Sequence, residues 1–323
     1  MKEYGGCLPA ETFLADRPVV YFDKRAVKMN SGRAAIYLAA VHAGSRAVWL
    51  PYYTCPTIKE FLESRGLMVR EYSIGPDFLP CTPPLESGET LVWTDYYGCM
   101  KPETIQAATA QYGGKIILDR CQGMLRKPVE GVYNIYSLRK FIGIPSGAVL
   151  YHSEFTGDLP ALSPTQARDG YLEKARREGS NAAYCEYLEN EDCFRSEYGS
   201  MPQSVEKTVA RVDFTAIQNR RRKNFQSVHT VLGPLNCIEH VDFSGDTPYM
   251  YPYLSNKPGL REYLLEQRIF CPTWWRRVLT LEETTAFEKE LVRRLVPIPI
   301  DQRYSNEDML EICRVVRSWE ETS

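Results

Sequence analysis

The sequence predicts an α/β fold in which a large domain on a mostly parallel sheet is followed by a smaller α+β domain. Three observations lead there. From about residue 30 to 151, short apolar runs alternate with helix-like segments, the order expected of parallel strands joined by helical crossovers and covered on both faces. After about residue 155 the pattern turns polar and acidic, then mixed. A length of 323 residues suits roughly two domains at ~150 residues each.

The elements follow in order. Ser31 to Ala43 carries Ile36, Leu38, Ala39, Ala40 and Ala43 on one broad apolar face, with Asn30 or Ser31 as N-cap. Ala47 to Leu50 is a short strand ended by Pro51. Thr57 to Arg65 reads as a helix stopped by Gly66, and Leu67 to Ile74 as a strand. Thr90 to Asp95 and Lys115 to Asp119 are strands flanking a helical stretch, Pro102 to Gln111; Val132 to Tyr136 and Gly147 to Tyr151 are two more. Ser163 to Gly199 suggests helices and a mobile connection, and Thr208 to Leu232 one long helix. Asn236 to Leu254 has strand-like pieces and Gly259 to Gln267 a helix. Leu281 to Arg294 and Asn306 to Trp319 are amphipathic helices around a strand, Val296 to Ile300. The expected division is a large domain over 1–155, a connecting helical segment over 156–207 and a small C-terminal domain over 208–323.

Composition excludes several functions. With 39 Lys+Arg against 41 Asp+Glu, a net charge of -2, the chain lacks the basic footprint of a nucleic-acid binder. No apolar run approaches the ~20 residues of a membrane span, and the start has no signal-peptide core; a soluble, cytoplasmic protein is expected. None of the ten cysteines is spaced C-x-x-C, and the chain has only four histidines. Free thiols in a reducing compartment, with no metal site, are expected. Neither G-x-G-x-x-G nor G-x-x-x-x-G-K-[ST] occurs.

In such sheets ligands bind beyond the carboxyl ends of the strands, and three clusters stand there. Asn30-Ser31-Gly32-Arg33 opens the first long helix; its free N–H groups suit a phosphate, or it is a plain N-cap with a packing glycine. Asp119, after KIIL, either caps the next turn or holds a cationic ring nitrogen in its protonated form, with Gln122 reaching the same ligand. Lys140, on the turn Ser137-Leu138-Arg139-Lys140, is either a solvated lysine or a desolvated one that loses its charge and becomes a nucleophile. Ser137 could face the same side and donate to a phosphate. Elsewhere, Arg220 to Lys223 reads as a solvated helix face. Trp274-Trp275-Arg276-Arg277 reads either as a substrate entrance able to hold a diphosphate or as core with a charged rim. Tyr96 and Tyr97 border the strand end.

The order of these pieces resembles the large domain of fold-type-I enzymes of pyridoxal 5'-phosphate (PLP), which have the aspartate aminotransferase fold. Within them it is most similar to the DegT/DnrJ/EryC1/StrS sugar aminotransferases. NSGRAAIYLAA, LPYYTCPT, VWTDYYGC, KIILDRCQGML and YSLRKFIGIPSGAVLY carry the resemblance, with weaker echoes in RRRKNFQSVHTVL and LVPIPIDQRYS. The resemblance implies that Lys140 forms a Schiff base with PLP and serves as general acid and base. It implies that Asp119 pairs with the ring nitrogen and that Gln122 contacts the phenolic-oxygen side. Ser137 would hold the phosphate together with the backbone at Gly32 and Arg33. Gly32-Arg33 stands where the family has Gly-Thr. Cys55 replaces the aromatic that stacks on the ring, with Tyr52 or Tyr53 beside it as a substitute. The implied activity is transfer of an amino group from a donor such as glutamate to a nucleotide-linked keto-sugar, by a homodimer. Two other readings remain: a PLP enzyme of another reaction type, and a homologue without catalysis that acts in binding or assembly. A dehydratase of this group has histidine where Lys140 stands.

Overall fold

The computed structural model describes residues 2–18, 22, 25–81, 84–124, 126–154, 162–166, 168–243 and 248–321. In chain order, β1 (Tyr4–Gly5) and β2 (Ala26–Met29) lead into α1 (Gly32–His42). Next come β3 (Ala47–Pro51), α2 (Pro56–Ser64), β4 (Met68–Ile74), β5 (Pro80–Cys81) and β6 (Glu89–Thr94). These are followed by α3 (Pro102–Tyr112), β7 (Ile116–Asp119), β8 (Tyr133–Ser137) and β9 (Ala148–Tyr151). Apart from the short edge strand β5, all from α1 onward lie where the apolar runs put them, to about two residues. The second half contains α4 (Gly170–Glu178), α5 (Tyr184–Phe194), α6 (Gln203–Val209), α7 (Phe214–Leu232), β10 (Tyr251–Leu254) and α8 (Leu260–Glu266). It closes with β11 (Ile269–Phe270), α9 (Ala286–Arg294), β12 (Leu295–Ile298) and α10 (Asn306–Glu321).

Eight strands form one sheet in the order β2-β9-β8-β7-β6-β3-β4-β5. The central run β8-β7-β6-β3-β4 is parallel, and antiparallel pairs close both edges. Burial explains the continuous apolar runs. Leu91, Trp93 and Leu118 face one core with Phe225, Tyr251, Ile298 and Ile312, while Val92 and Ile117 face the other with Ala35, Ile36 and Leu62. Neither face meets water, so no polar alternation is needed. The strand order reverses between β3 and β6, and a reversal of this kind leaves a crevice at the carboxyl edge. Register puts the strand ends together there: Thr94 lies opposite Asp119, and both Ser137 and Met29 lie opposite Ala148.

In the C-terminal part, β10 and β12 pair antiparallel beside α7 and α10. The parallel pair β1–β11 ties the first residues to it. Two helices start later than expected, each for a capping reason. The helix expected from Thr208 is broken into α6 and α7, because the Asp213 side chain accepts from the Ala216 amide and starts a new N-terminus. The helix expected from Leu281 begins at Ala286, where Thr285 and Glu288 form a reciprocal capping box. Among the described residues no helix is long and apolar enough to cross a membrane.

Candidate active site

A cavity of about 730 Å³ opens at the carboxyl edge of the parallel strands. Seven of the eight residues expected to bind the cofactor line it: Gly32, Arg33, Cys55, Asp119, Gln122, Ser137 and Lys140. Each is there because a strand has just ended or a helix is about to begin. Asp119 is the last residue of β7 and Ser137 the last of β8. Lys140 closes the single 3-10 turn that follows, Leu138–Lys140. Gly32 and Arg33 open α1 behind the N-cap Ser31, whose hydroxyl accepts from the Ala34 amide at 3.3 Å. A side chain at Gly32 would stand 2.8 Å from Cys121 Sγ, so a glycine is what lets α1 approach the β7 end this closely. Cys55 is the N-cap of α2, its Sγ 3.1 Å from the Thr57 hydroxyl.

The cavity gathers polar groups that the protein itself leaves unpartnered. Asp119 is buried; its Oδ1 accepts from the Cys121 amide at 2.9 Å, and its carboxyl group also meets the Cys121 thiol. Lys140 Nζ, the hydroxyl of buried Ser137 and the first two N–H groups of α1, at Gly32 and Arg33, have no hydrogen bond among the described residues. Buried polar groups are ordinarily paired. Four unpaired groups gathered with the Asp119 carboxyl around a single cavity could hold a ligand with an anionic end, a cationic ring atom and a group reactive toward an amine.

The surroundings of Lys140 favour its charged form. Burial works against its ammonium, but Cys121 and Asp119, with smaller contributions from Tyr249 and Cys55, outweigh it and raise its pKa above the ordinary lysine value. Burial also pushes the Cys121 thiol well above its usual range. With that thiol protonated, the Asp119 side chain is the acidic partner that favours the charged form of Lys140.

The walls come from distant parts of the chain. Tyr184, Tyr187, Glu191 and Phe194 stand on one face of α5 and line the cavity. Glu191 takes both terminal nitrogens of Arg139, the residue before Lys140. The Phe194 ring is flanked by two guanidinium groups, Arg33 at 4.9 Å and Arg139 at 4.8 Å. α5, which falls where a partly mobile connection was expected, thus supplies a wall clasped to both ends of the site. Arg303 donates to the carbonyls of Gly5 and Cys7 and so fixes the stretch Gly6 to Leu8, which also lines the cavity. On the opposite side Trp274 stacks on Tyr97 with ring centroids 5.4 Å apart and planes at 10°; Trp274, Trp275 and Tyr249 all reach the cavity.

Two residues behave differently from expectation. Tyr53, expected beside a bound ring, does not line the cavity. It is fully buried, its hydroxyl 3.3 Å from that of Tyr97 and its ring edge-on to Trp275 at 4.4 Å, so the aromatic cluster behind the site has absorbed it. Arg221, read as part of a solvated face, is 1% exposed. It donates to the Phe141 and Tyr249 carbonyls and to Gln302 Oε1, bracing the lysine turn against the Tyr249 loop. Sequence reasoning missed the α5 wall. The signal was there, as aromatic and acidic side chains recurring at three- and four-residue spacing, but nothing local ties that face to residues 33 and 139.

No protein-family model matches the chain, and no curated protein matches it. Solved structures do. The sugar aminotransferase CalS13 of Micromonospora echinospora superposes with a TM-score of 0.62 at 16% identity, over 91% of this chain and 87% of that one. A DegT DnrJ EryC1 StrS aminotransferase of Brucella abortus gives 0.59 at 14% identity, over 92% and 86%. The protein Spr1654 of Streptococcus pneumoniae, in its PLP form, gives 0.66 at 10% identity, over 99% of both chains. At such identities the likeness is one of fold: this chain has the α/β fold of these aminotransferases, with its large, mostly parallel sheet.

Proposed function

We propose that this protein is a PLP-dependent aminotransferase that moves an amino group from an amino acid such as glutamate to a keto-sugar, most specifically a nucleotide-linked one. The observation that carries the reading is the gathering of Lys140, Asp119, Ser137 and the first two amides of α1 around one cavity. They fit the cofactor group by group. Lys140 Nζ would hold its aldehyde carbon, Asp119 Oδ2 its ring nitrogen, and Ser137 with the Gly32 and Arg33 amides its phosphate. When bound, the cofactor supplies an electron sink for the carbon that loses its proton.

The rest falls to the chain. With Asp119 engaged by the cofactor's ring nitrogen, Lys140 would lose the partner that favours its ammonium and could act as a neutral nucleophile. Lys140 Nζ then moves a proton from the donor carbon and returns it at a second carbon, as general base and acid. Trp274, Tyr249 and the α5 face shield that transfer from water, and low local dielectric strengthens the Asp119 pairing. The working unit is proposed as a homodimer in the cytoplasm, on the strength of the family resemblance.

The test is a half-reaction. Protein loaded with PLP should lose its yellow colour on adding glutamate and regain it with 2-oxoglutarate. Colour that persists with every amino donor tried would leave a binding or assembly protein on this fold.

A further inference from the structure

The turn that carries Lys140 is also held by residues that do not line the cavity. Gly143, just beyond the lysine, is pressed so close to the N-terminal segment that a side chain on it would overlap the Pro9 carbonyl. Its carbonyl accepts from the Glu11 amide at 3.1 Å, and its own amide donates to Glu11 Oε2 at 3.2 Å. This contact joins residues 132 apart in the chain.

Glu11 meets four N–H donors. Oε2 takes the Gly143 amide and, at 2.8 Å, Nε2 of Gln302; Oε1 takes the amides of Thr12 and Phe13, both at 2.9 Å. A carboxylate accepts on both oxygens, whereas a glutamine would turn N–H toward N–H on one side. Gln302 carries the connection onward. Its Nε2 also donates to the Phe141 carbonyl at 2.9 Å, and its Oε1 accepts from Arg221 Nε at 2.9 Å. Arg221 Nη2 returns to the same carbonyl at 3.1 Å.

Among the described residues no carboxylate touches the buried Arg221 guanidinium; its acceptors are Gln302 Oε1 and the carbonyls of Phe141 and Tyr249. A buried cation left uncompensated is costly. Burial pulls its pKa down, and Asp301, Tyr249 and Glu11 oppose that pull. Asp301 is already bonded to Arg303, so Glu11 is the anion that reaches Arg221 through a chain of hydrogen bonds.

We propose that Glu11 and Arg221 form an ion pair bridged by the Gln302 amide, and that Glu11 is a positioning residue for Lys140. The bridge grips the Phe141 carbonyl and the Gly143 amide, while Glu191 holds Arg139 on the other side of the lysine. The N-terminal segment, α7 and the chain after β12 thus meet behind one turn. Resting on the amino-transfer reading above, Glu11 sets where the Lys140 amine stands. A reacting group displaced by about 1 Å can lose about 10²-fold in rate.

The test mixes saturating PLP with wild type, Glu11→Gln, Gln302→Met and Lys2→Ala, and follows the first-order appearance of yellow colour. The amplitude counts folded sites, and the rate reads the placement of the amine. Lys2→Ala removes an exposed ion pair with Asp308 at the start of the same N-terminal segment, so it loosens the segment and spares the bridge. Hydrogen exchange without PLP follows the Gly143 amide. Both bridge variants should keep full amplitude, form colour about tenfold more slowly and exchange Gly143 faster, with Lys2→Ala matching wild type. Should Glu11→Gln not fold, Gln302→Met decides. A wild-type rate in the bridge variants, or a Lys2→Ala as slow as they are, overturns the proposal. No colour even in wild type sinks the amino-transfer reading, and the role toward Lys140 with it; Gly143 exchange then decides the bridge alone, and unchanged exchange overturns it too.

Discussion

The side-chain oxygen of Gln122 accepts a 2.6 Å hydrogen bond from the backbone amide of Tyr97. Tyr97 sits at φ 62°, a left-handed conformation that a tyrosine seldom adopts. The next residue, Gly98, is pressed so close to the Gln122 carbonyl that a side chain there would stand 2.2 Å from it. Gln122 therefore joins the β6 end to the β7 end, and its oxygen is already committed before any ligand arrives.

Gln122→Met keeps length and apolar volume but removes the acceptor, leaving the buried Tyr97 amide unpaired. A stability loss of about 1–3 kcal/mol is expected from urea unfolding. A loss near zero would mean that water in the cavity replaces the bond.

Gly32 and Cys121 form a second coupled pair. Gly32→Ala puts a methyl 2.8 Å from Cys121 Sγ and should cost about 1–3 kcal/mol, net of the better helix propensity of alanine. Adding Cys121→Ala should recover part of that loss, with a coupling of about 0.5–3 kcal/mol in a double-mutant cycle. Strictly additive effects would show that the two do not touch.

How far the site could be read from sequence follows from where each residue lies. Asp119, Ser137 and Lys140 were legible because they end or follow short apolar strands, and a parallel sheet puts such ends on one edge. Glu191 and Phe194 were not, because their partners Arg139 and Arg33 lie 52 and 161 residues away and only packing unites them. Arg221 sits in a basic run whose neighbours read as a solvated face; its carbonyl acceptors come from Phe141 and Tyr249, which helix periodicity does not reveal. Most of the large sheet could be read because β3, β6 and β7 are apolar on both faces. The break before α7 depended on one side chain, Asp213, choosing to cap rather than continue.

Asp301 provides a pH-dependent test. Its carboxylate takes Arg303 Nε at 2.6 Å and Nη2 at 2.8 Å. Burial acts to raise its pKa, but Arg303 and then Arg221 outweigh burial and hold it below the usual aspartate range. A folded pKa below the unfolded value means that folding releases a proton. The stabilisation is thus present above the unfolded pKa, ~3.9, and drains away as pH falls through the folded one. Asp301→Asn should cost about 3 kcal/mol at pH 7, and the gap to wild type should narrow steadily below about pH 4. A gap independent of pH would remove the carboxylate from that role. Because Arg303 also fixes the carbonyls of Gly5 and Cys7, the same variant should loosen the cavity wall at Gly6 to Leu8 and speed amide exchange there.

The central claim is that Lys140 is the amine of a cofactor site. Borohydride reduction after adding PLP, followed by peptide mapping, tests it most directly. The expected result is a yellow protein in which the reduced label sits on Lys140, and a Lys140→Ala variant that stays colourless and unlabelled. No colour in the wild type, or a label on another lysine, would contradict the account.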